Sequence, residues 1–117
     1  MSGARSYHAG RSAEASVARH YEGRGAKQLA ERWRGAAGEI DLIFQDGDET
    51  VFVEVKASKS AARAARLLGP RQIERLAAAA EEYCADLAQG SLTPMRFDVA
   101  LVDGQGVVSV HRAALGP

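Results

Sequence analysis

GEIDLIFQDGDETVFVEVK, residues 38–56, reads as two strands joined by a turn, and the way those strands pair decides the fold. Glu39 to Gln45 and Thr50 to Lys56 are rich in β-branched, aromatic and aliphatic residues, while Asp46-Gly47-Asp48-Glu49 is a run of turn formers. With that four-residue loop, Gln45 faces Thr50, Phe44 meets Val51, Leu42 meets Val53 and Ile40 meets Val55. One face of the ribbon is then wholly apolar, which is the condition that pins a register. The other face follows: Asp41 lies opposite Glu54, and Glu39 lies opposite Lys56.

Directly opposed residues hold their Cβ atoms about 5 Å apart, so Asp41 and Glu54 repel unless something positive intervenes. A divalent cation, the Lys56 ammonium or a proton on one carboxylate would each serve. Oxygen ligands without sulfur favour Mg²⁺ or Mn²⁺ over zinc. Glu54 and Lys56, two apart on a strand, share a side. An acid pair with a lysine beside it suits phosphodiester hydrolysis, in which a cation lowers the pKa of the attacking water and stabilises charge on the phosphate. The spacing alone fits equally well a solvated face of cross-strand ion pairs worth about 0.2–1 kcal/mol each.

Outward from the hairpin, Ser12 to Glu22 predicts a helix, with Ser12 as N-cap and Ala13, Val17, His20 and Tyr21 on one face. Lys27 to Arg34 is ambiguous in pattern, and its brevity, its flanking glycines and Trp33 favour a strand. Residues 57–68 read as an exposed, mobile connection. Pro70 to about Ala88 is the clearest helix, with Ile73, Leu76, Ala77, Ala80, Tyr83, Cys84 and Leu87 as its apolar stripe and Gly90 as terminator. Met95–Val102 and Val107–His111 predict a closing hairpin around Asp103-Gly104-Gln105-Gly106. The order α-β-β-β-α-β-β predicts a single α/β domain over 1–117, a mixed sheet of about five strands flanked by helices, with 1–10 and 113–117 flexible.

Composition narrows the function classes. Charged residues are 26% and hydrophobic ones 46%, as in an ordinary globular domain. The sole cysteine, Cys84, forbids an internal disulfide and is expected in the core. No apolar stretch approaches the ~20 residues of a membrane span and no signal-peptide core opens the chain, so a cytoplasmic protein is expected. His8, His20 and His111 lack metal-ligand spacing, and the Gly-rich turns extend to no phosphate-binding loop. The formal charge of zero hides segregation: acidic residues 38–56 lie between basic segments 1–37 and 57–75. Arg63, Arg66, Arg71 and Arg75 could rim a nucleic-acid backbone, or simply lie in solvent. Trp33 is expected in a core or interface. Arg96 and Asp98 alternate with Phe97 and Val99, which predicts an exposed local ion pair.

Gly38-Glu39-Ile40-Asp41-Leu42-Ile43, followed by Val51-Phe52-Val53-Glu54-Val55-Lys56, closely resembles the signature of the YraN-like family of small bacterial proteins. That family is similar to a branch of the PD-(D/E)XK nuclease superfamily, related in fold to archaeal Holliday-junction resolvases. The likeness spans nearly the whole chain and includes Glu14, Arg71-Gln72 and Arg96-Phe97-Asp98-Val99. It implies a restriction-endonuclease-like fold, with Asp41, Glu54 and the Val55 carbonyl as ligands of Mg²⁺ or Mn²⁺ and Lys56 as the catalytic lysine. It further implies Glu14 as a helical acid aimed at the metal and Gln72 as a polar residue near the site. Ile40 stands where the superfamily's nominal proline does, and Ser58 where many relatives carry a basic residue.

The resulting expectation is a Mg²⁺-dependent nuclease-like protein acting on DNA, including branched or structured forms, in replication or repair. A nucleic-acid-binding module that cuts nothing alone and an adaptor with an acidic partner-binding patch are the alternatives. A homodimer is expected by analogy with nucleases that handle symmetric junctions.

Overall fold

Helix α1 (Ser2–Gly23) leads into strands β1 (Lys27–Arg34), β2 (Glu39–Asp46) and β3 (Glu49–Ala57), then helix α2 (Pro70–Ala85), β4 (Met95–Val102) and β5 (Val108–His111). The structure is a computed structural model describing residues 2–57 and 69–113, with side chains from residue 11 onward. The strands form one mixed sheet in the order β1-β2-β3-β4-β5. All neighbours are antiparallel except β3 and β4, whose parallel pairing requires the long crossover that carries α2. This is the α/β architecture and element order that the sequence predicts. No helix among the described residues is long and apolar enough to cross a membrane.

Two cores lie on the two faces of the sheet. On one, Ala13, Val17 and Tyr21 of α1, spaced four apart, cover Leu42, Phe44, Val51, Val53, Ala100 and Val102. On the other, Leu76, Ala79, Ala80 and Cys84 of α2 cover Ile40, Ile43 and Phe52, with Trp33 and Tyr83 packed at the margin. Tyr21 stacks on Phe44 with centroids 4.5 Å apart, and Trp33 meets Tyr83 edge-on.

Several boundaries differ from expectation. Helix α1 starts ten residues earlier than Ser12, which therefore lies inside it rather than capping it, and His20 sits half-buried at the edge of its stripe. In α2, Ala79 takes the buried position and Ala77 is exposed. That helix ends at Ala85, where Leu87 N–H already bonds back to the Cys84 carbonyl, and Gly90 opens a short 3₁₀ turn to Leu92.

The hairpin register is the one read from the sequence at the turn: Gln45 pairs Thr50, Phe44 pairs Val51 and Leu42 pairs Val53. Pairing runs one step further to Asp46 and Glu49, leaving a two-residue turn with Gly47 at φ +62°, a conformation that suits glycine. The ladder ends at Leu42–Val53. Beyond it Ile40 does not join Leu42 and Phe44 but packs with Ile43 and Phe52 under α2. The expectation of one apolar and one polar face is thus corrected. The centre of the hairpin is buried on both sides, because helices cover both faces of its strands.

Candidate active site

The site forms where β2 and β3 part. Where the ladder would continue, the Asp41 side chain takes its place: Oδ2 accepts the Val55 N–H at 2.8 Å. The half-buried Glu54 carboxyl lies near that of Asp41, although the β2–β3 ladder does not extend to this pair, and its Oε2 accepts from Gln72 Nε2 of α2 at 2.7 Å. Burial pushes the Glu54 carboxyl up to about 8, with help from the hydrogen bond and negative charge of Asp41 and against the pull of Lys56 and Gln72. That shift favours the protonated form of Glu54, which relieves the repulsion between the two acids. Lys56 is half-buried further along β3, and no carboxylate among the described residues lies within ion-pair distance of its ammonium. It acts on Glu54 through its field.

The other sequence candidates fall into three groups. Glu14 lies apart from the acid pair: its Oε2 accepts from Arg32 Nε at 3.2 Å. Among the described residues no third His, Cys, Asp or Glu joins Asp41 and Glu54 in a cluster. Arg71 and Arg75 are exposed on α2, and the backbone and Cβ of Arg75 lean on Gly38, 3.7–3.8 Å from where a Cβ there would sit. Arg63 and Arg66, the 57–68 connection beyond Ala57, and Ser58 lie outside the described residues. Glu39, expected across from Lys56, instead pairs with Arg34 of β1 at 3.6 Å, since the β2–β3 ladder has already ended.

Two features escaped the sequence reading. Arg32 sits between the pairs Glu31–Leu42 and Trp33–Ile40, across from Asp41, with φ +50°. A left-handed arginine inside a strand stores about 1–3 kcal/mol of strain, beside the break that frees Asp41. Nothing in the local sequence announces it. Arg96 and Asp98 form the expected ion pair but are buried rather than exposed, Asp98 to 1% of its surface. Asp98 accepts from Tyr21 Oη at 2.6 Å, Arg96 Nε at 3.0 Å and the Ala113 N–H at 3.0 Å. Burial, then Asp98, holds the Tyr21 hydroxyl well above its ordinary value.

Fold and site together define an α/β domain with a close acid pair and a lysine on its two central antiparallel strands, one of them also in parallel pairing. The family model described as Uncharacterised protein family UPF0102 matches residues 13–102, a span containing Glu14, Asp41, Glu54, Lys56 and Gln72. The chain is 57% identical to a UPF0102 protein of Ruegeria pomeroyi, over 97% of this chain and 93% of that one. It is 54% identical to one of Roseobacter denitrificans (97% and 88%) and 56% identical to one of Cereibacter sphaeroides (94% of each). The chain belongs to the UPF0102 family, the YraN family anticipated from its hairpin motifs.

Proposed function

We propose that this protein is a Mg²⁺- or Mn²⁺-dependent nuclease-like enzyme that hydrolyses phosphodiester bonds in DNA, branched or structured forms included, in the cytoplasm. The observation that carries the reading is the contact of the Asp41 and Glu54 carboxyls at the strand break, with Lys56 on the same strand and Gln72 reaching in from α2. The donor set fits a hard divalent cation. Both acids offer oxygen, and a cation would relieve the same repulsion that raises the Glu54 pKa. Asp41, Glu54 and the Val55 carbonyl would hold it. With so few protein ligands, water and substrate phosphate would complete the coordination, as is usual for Mg²⁺. When bound, such an ion supplies a lowered water pKa and charge stabilisation on the phosphate.

The chain's own residues do the rest. The Val55 N–H fixes one oxygen of Asp41, and Gln72 fixes one of Glu54, so both carboxylates are oriented before substrate arrives. Lys56, uncommitted to any described carboxylate, is available to a phosphate oxygen or to the attacking water. Arg71 and Arg75 on the exposed side of α2 would contact the nucleic-acid backbone.

The test is cleavage of labelled single-stranded, duplex and four-way-junction DNA, with and without Mg²⁺ or Mn²⁺. Lys56→Ala is expected to lower the rate about 10²- to 10⁴-fold while DNA affinity falls little. Metal-independent cleavage, or cleavage undiminished in Lys56→Ala, would refute the reading. Salt-sensitive DNA binding without cleavage of any substrate would replace it with the binding-module alternative.

A further inference from the structure

Across the sheet from the acid pair, at the hairpin-turn end of β3 and β4, lies a cavity of about 450 Å³. That volume is within the range of small-molecule sites. Its floor is the buried Arg96–Asp98 pair. Arg96 spends every nitrogen there, with Nε on Asp98, Nη1 on Glu49 at 2.9 Å, and Nη2 shared between Asp98 and Asp46, each at 3.2 Å. The Tyr21 hydroxyl completes the floor on Asp98. One wall is apolar, made by Val108 and Val110. The rim is basic. The side chains of His20 and Arg24 line the cavity and have no hydrogen-bond or ion-pair partner among the described residues. Arg112 reaches Asp46 only at 3.9 Å, and that carboxylate is already taken by Arg96.

Packing alone does not account for this arrangement. A buried ion pair stabilises no more than an apolar pair of the same volume would, so Arg96 and Asp98 are a poor choice for filling space. As the floor of a cavity they give it a rigid, polar surface in which every Arg96 nitrogen is already bonded to a carboxylate. The unspent hydrogen-bonding capacity lies on the rim, and it is cationic. Arginine forks there match the oxygens of a carboxylate or a phosphate.

We propose that this cavity binds a small molecule carrying one oxyanion group on a partly apolar body. Arg24, Arg112 and His20 receive the oxyanion, and the Val108–Val110 wall receives the body. The site is independent of the proposed nuclease chemistry, since Glu54 and Gln72 meet on the opposite face of the sheet.

Phenyl phosphate, benzoate and neutral benzamide, titrated into the full chain and followed by NMR of the valine methyls and histidine rings, test it. Phenyl phosphate or benzoate should shift Val108, Val110 and His20 saturably at millimolar concentration. The tighter of the two assigns phosphate or carboxylate as the group recognised. Affinity should fall at least about tenfold in Arg24→Gln/Arg112→Gln, two exposed positions whose change leaves the core intact, and should persist in Asp41→Asn. Equal binding of benzamide, unchanged affinity in the double variant, or no saturable shift from either anion would overturn the proposal. So would shifts produced by duplex DNA but by none of the small molecules, which would give the surface to the nucleic acid.

Discussion

Removing metal and raising pH should destabilise this protein through one residue. The Glu54 carboxyl titrates at about 8 in the fold against 4.5 when exposed. Between those values the unfolded chain has released the proton that the folded one still holds. The native state then binds more protons, so stability falls as pH rises through the window and levels off above about 8. A shift of that size corresponds to at most about 5 kcal/mol, lost at up to about 1.4 kcal/mol per pH unit. Partial relaxation of the strand break would reduce it to about half, on a domain whose whole stability is of order 5–10 kcal/mol. Urea midpoints in EDTA from pH 4.5 to 8.5 measure the slope. Glu54→Gln keeps the acceptor for Gln72 and carries no proton to lose, so its midpoint should stay nearly flat over the same range. Mg²⁺ at about ten times its dissociation constant should restore about 1.4 kcal/mol to the wild type at pH 8 and little to Glu54→Gln. Parallel pH slopes for the two proteins would refute the shared-proton account of the acid pair.

Asp41→Asn keeps an oxygen for the Val55 N–H and should lose metal binding with little loss of stability, whereas Asp41→Ala leaves that N–H unpaired and should cost about 1–3 kcal/mol in addition; calorimetric metal titration beside urea unfolding separates the two. Tyr21→Phe withdraws one donor from buried Asp98 and should cost about 1–3 kcal/mol by urea unfolding, and Asp98→Ala, which strands the Arg96 guanidinium, about 3–5 kcal/mol. A Cβ at Gly35 would lie 2.5 Å from Trp33 Cη2 and 2.7 Å from Glu82 Cδ. Glu82 holds the Ala36 and Ala37 N–H groups at 2.9 and 3.2 Å and cannot withdraw without releasing them, so Gly35→Ala should cost about 1–3 kcal/mol and speed hydrogen exchange at both amides.

What the sequence made legible was local. The hairpin register came from four turn residues and the apolar alternation beside them, and both signals act within a few residues of Gly47. The stripe of α2 was equally plain, apart from the exchange of Ala77 for Ala79, two residues of identical chemistry that only the neighbouring helix face distinguishes. The remainder depended on partners distant in sequence. Alternation assigned Arg96 and Asp98 to solvent because a strand pattern cannot tell which face a helix will cover, and α1 covers theirs. The N-terminal extension of α1 ran against the low helix propensity of Gly3 and Gly10. The β2–β3 ladder ends at Leu42 and Val53 and, on the neighbouring strand β1, Arg32 is left-handed; no motif marks either.

That ladder break is where structure and proposed chemistry meet. A backbone N–H at the centre of a sheet must find an acceptor, and an unbroken ladder would have given Val55 a carbonyl of β2. Here a carboxylate takes the place, which ties one oxygen of Asp41 and turns its carboxyl toward Glu54. Past that parting Ile40 packs on the α2 face, and Arg75 of α2 lies against Gly38 at the entry to β2. Helix α2 thereby also carries Gln72 to Glu54. The acid pair, its orienting amide and its lysine are consequently held by backbone geometry and by a core helix rather than by a loop. Positioning of that kind is what hydrolysis on a small scaffold requires, since a loosely held carboxylate loses the fixed electrostatics on which such catalysis rests.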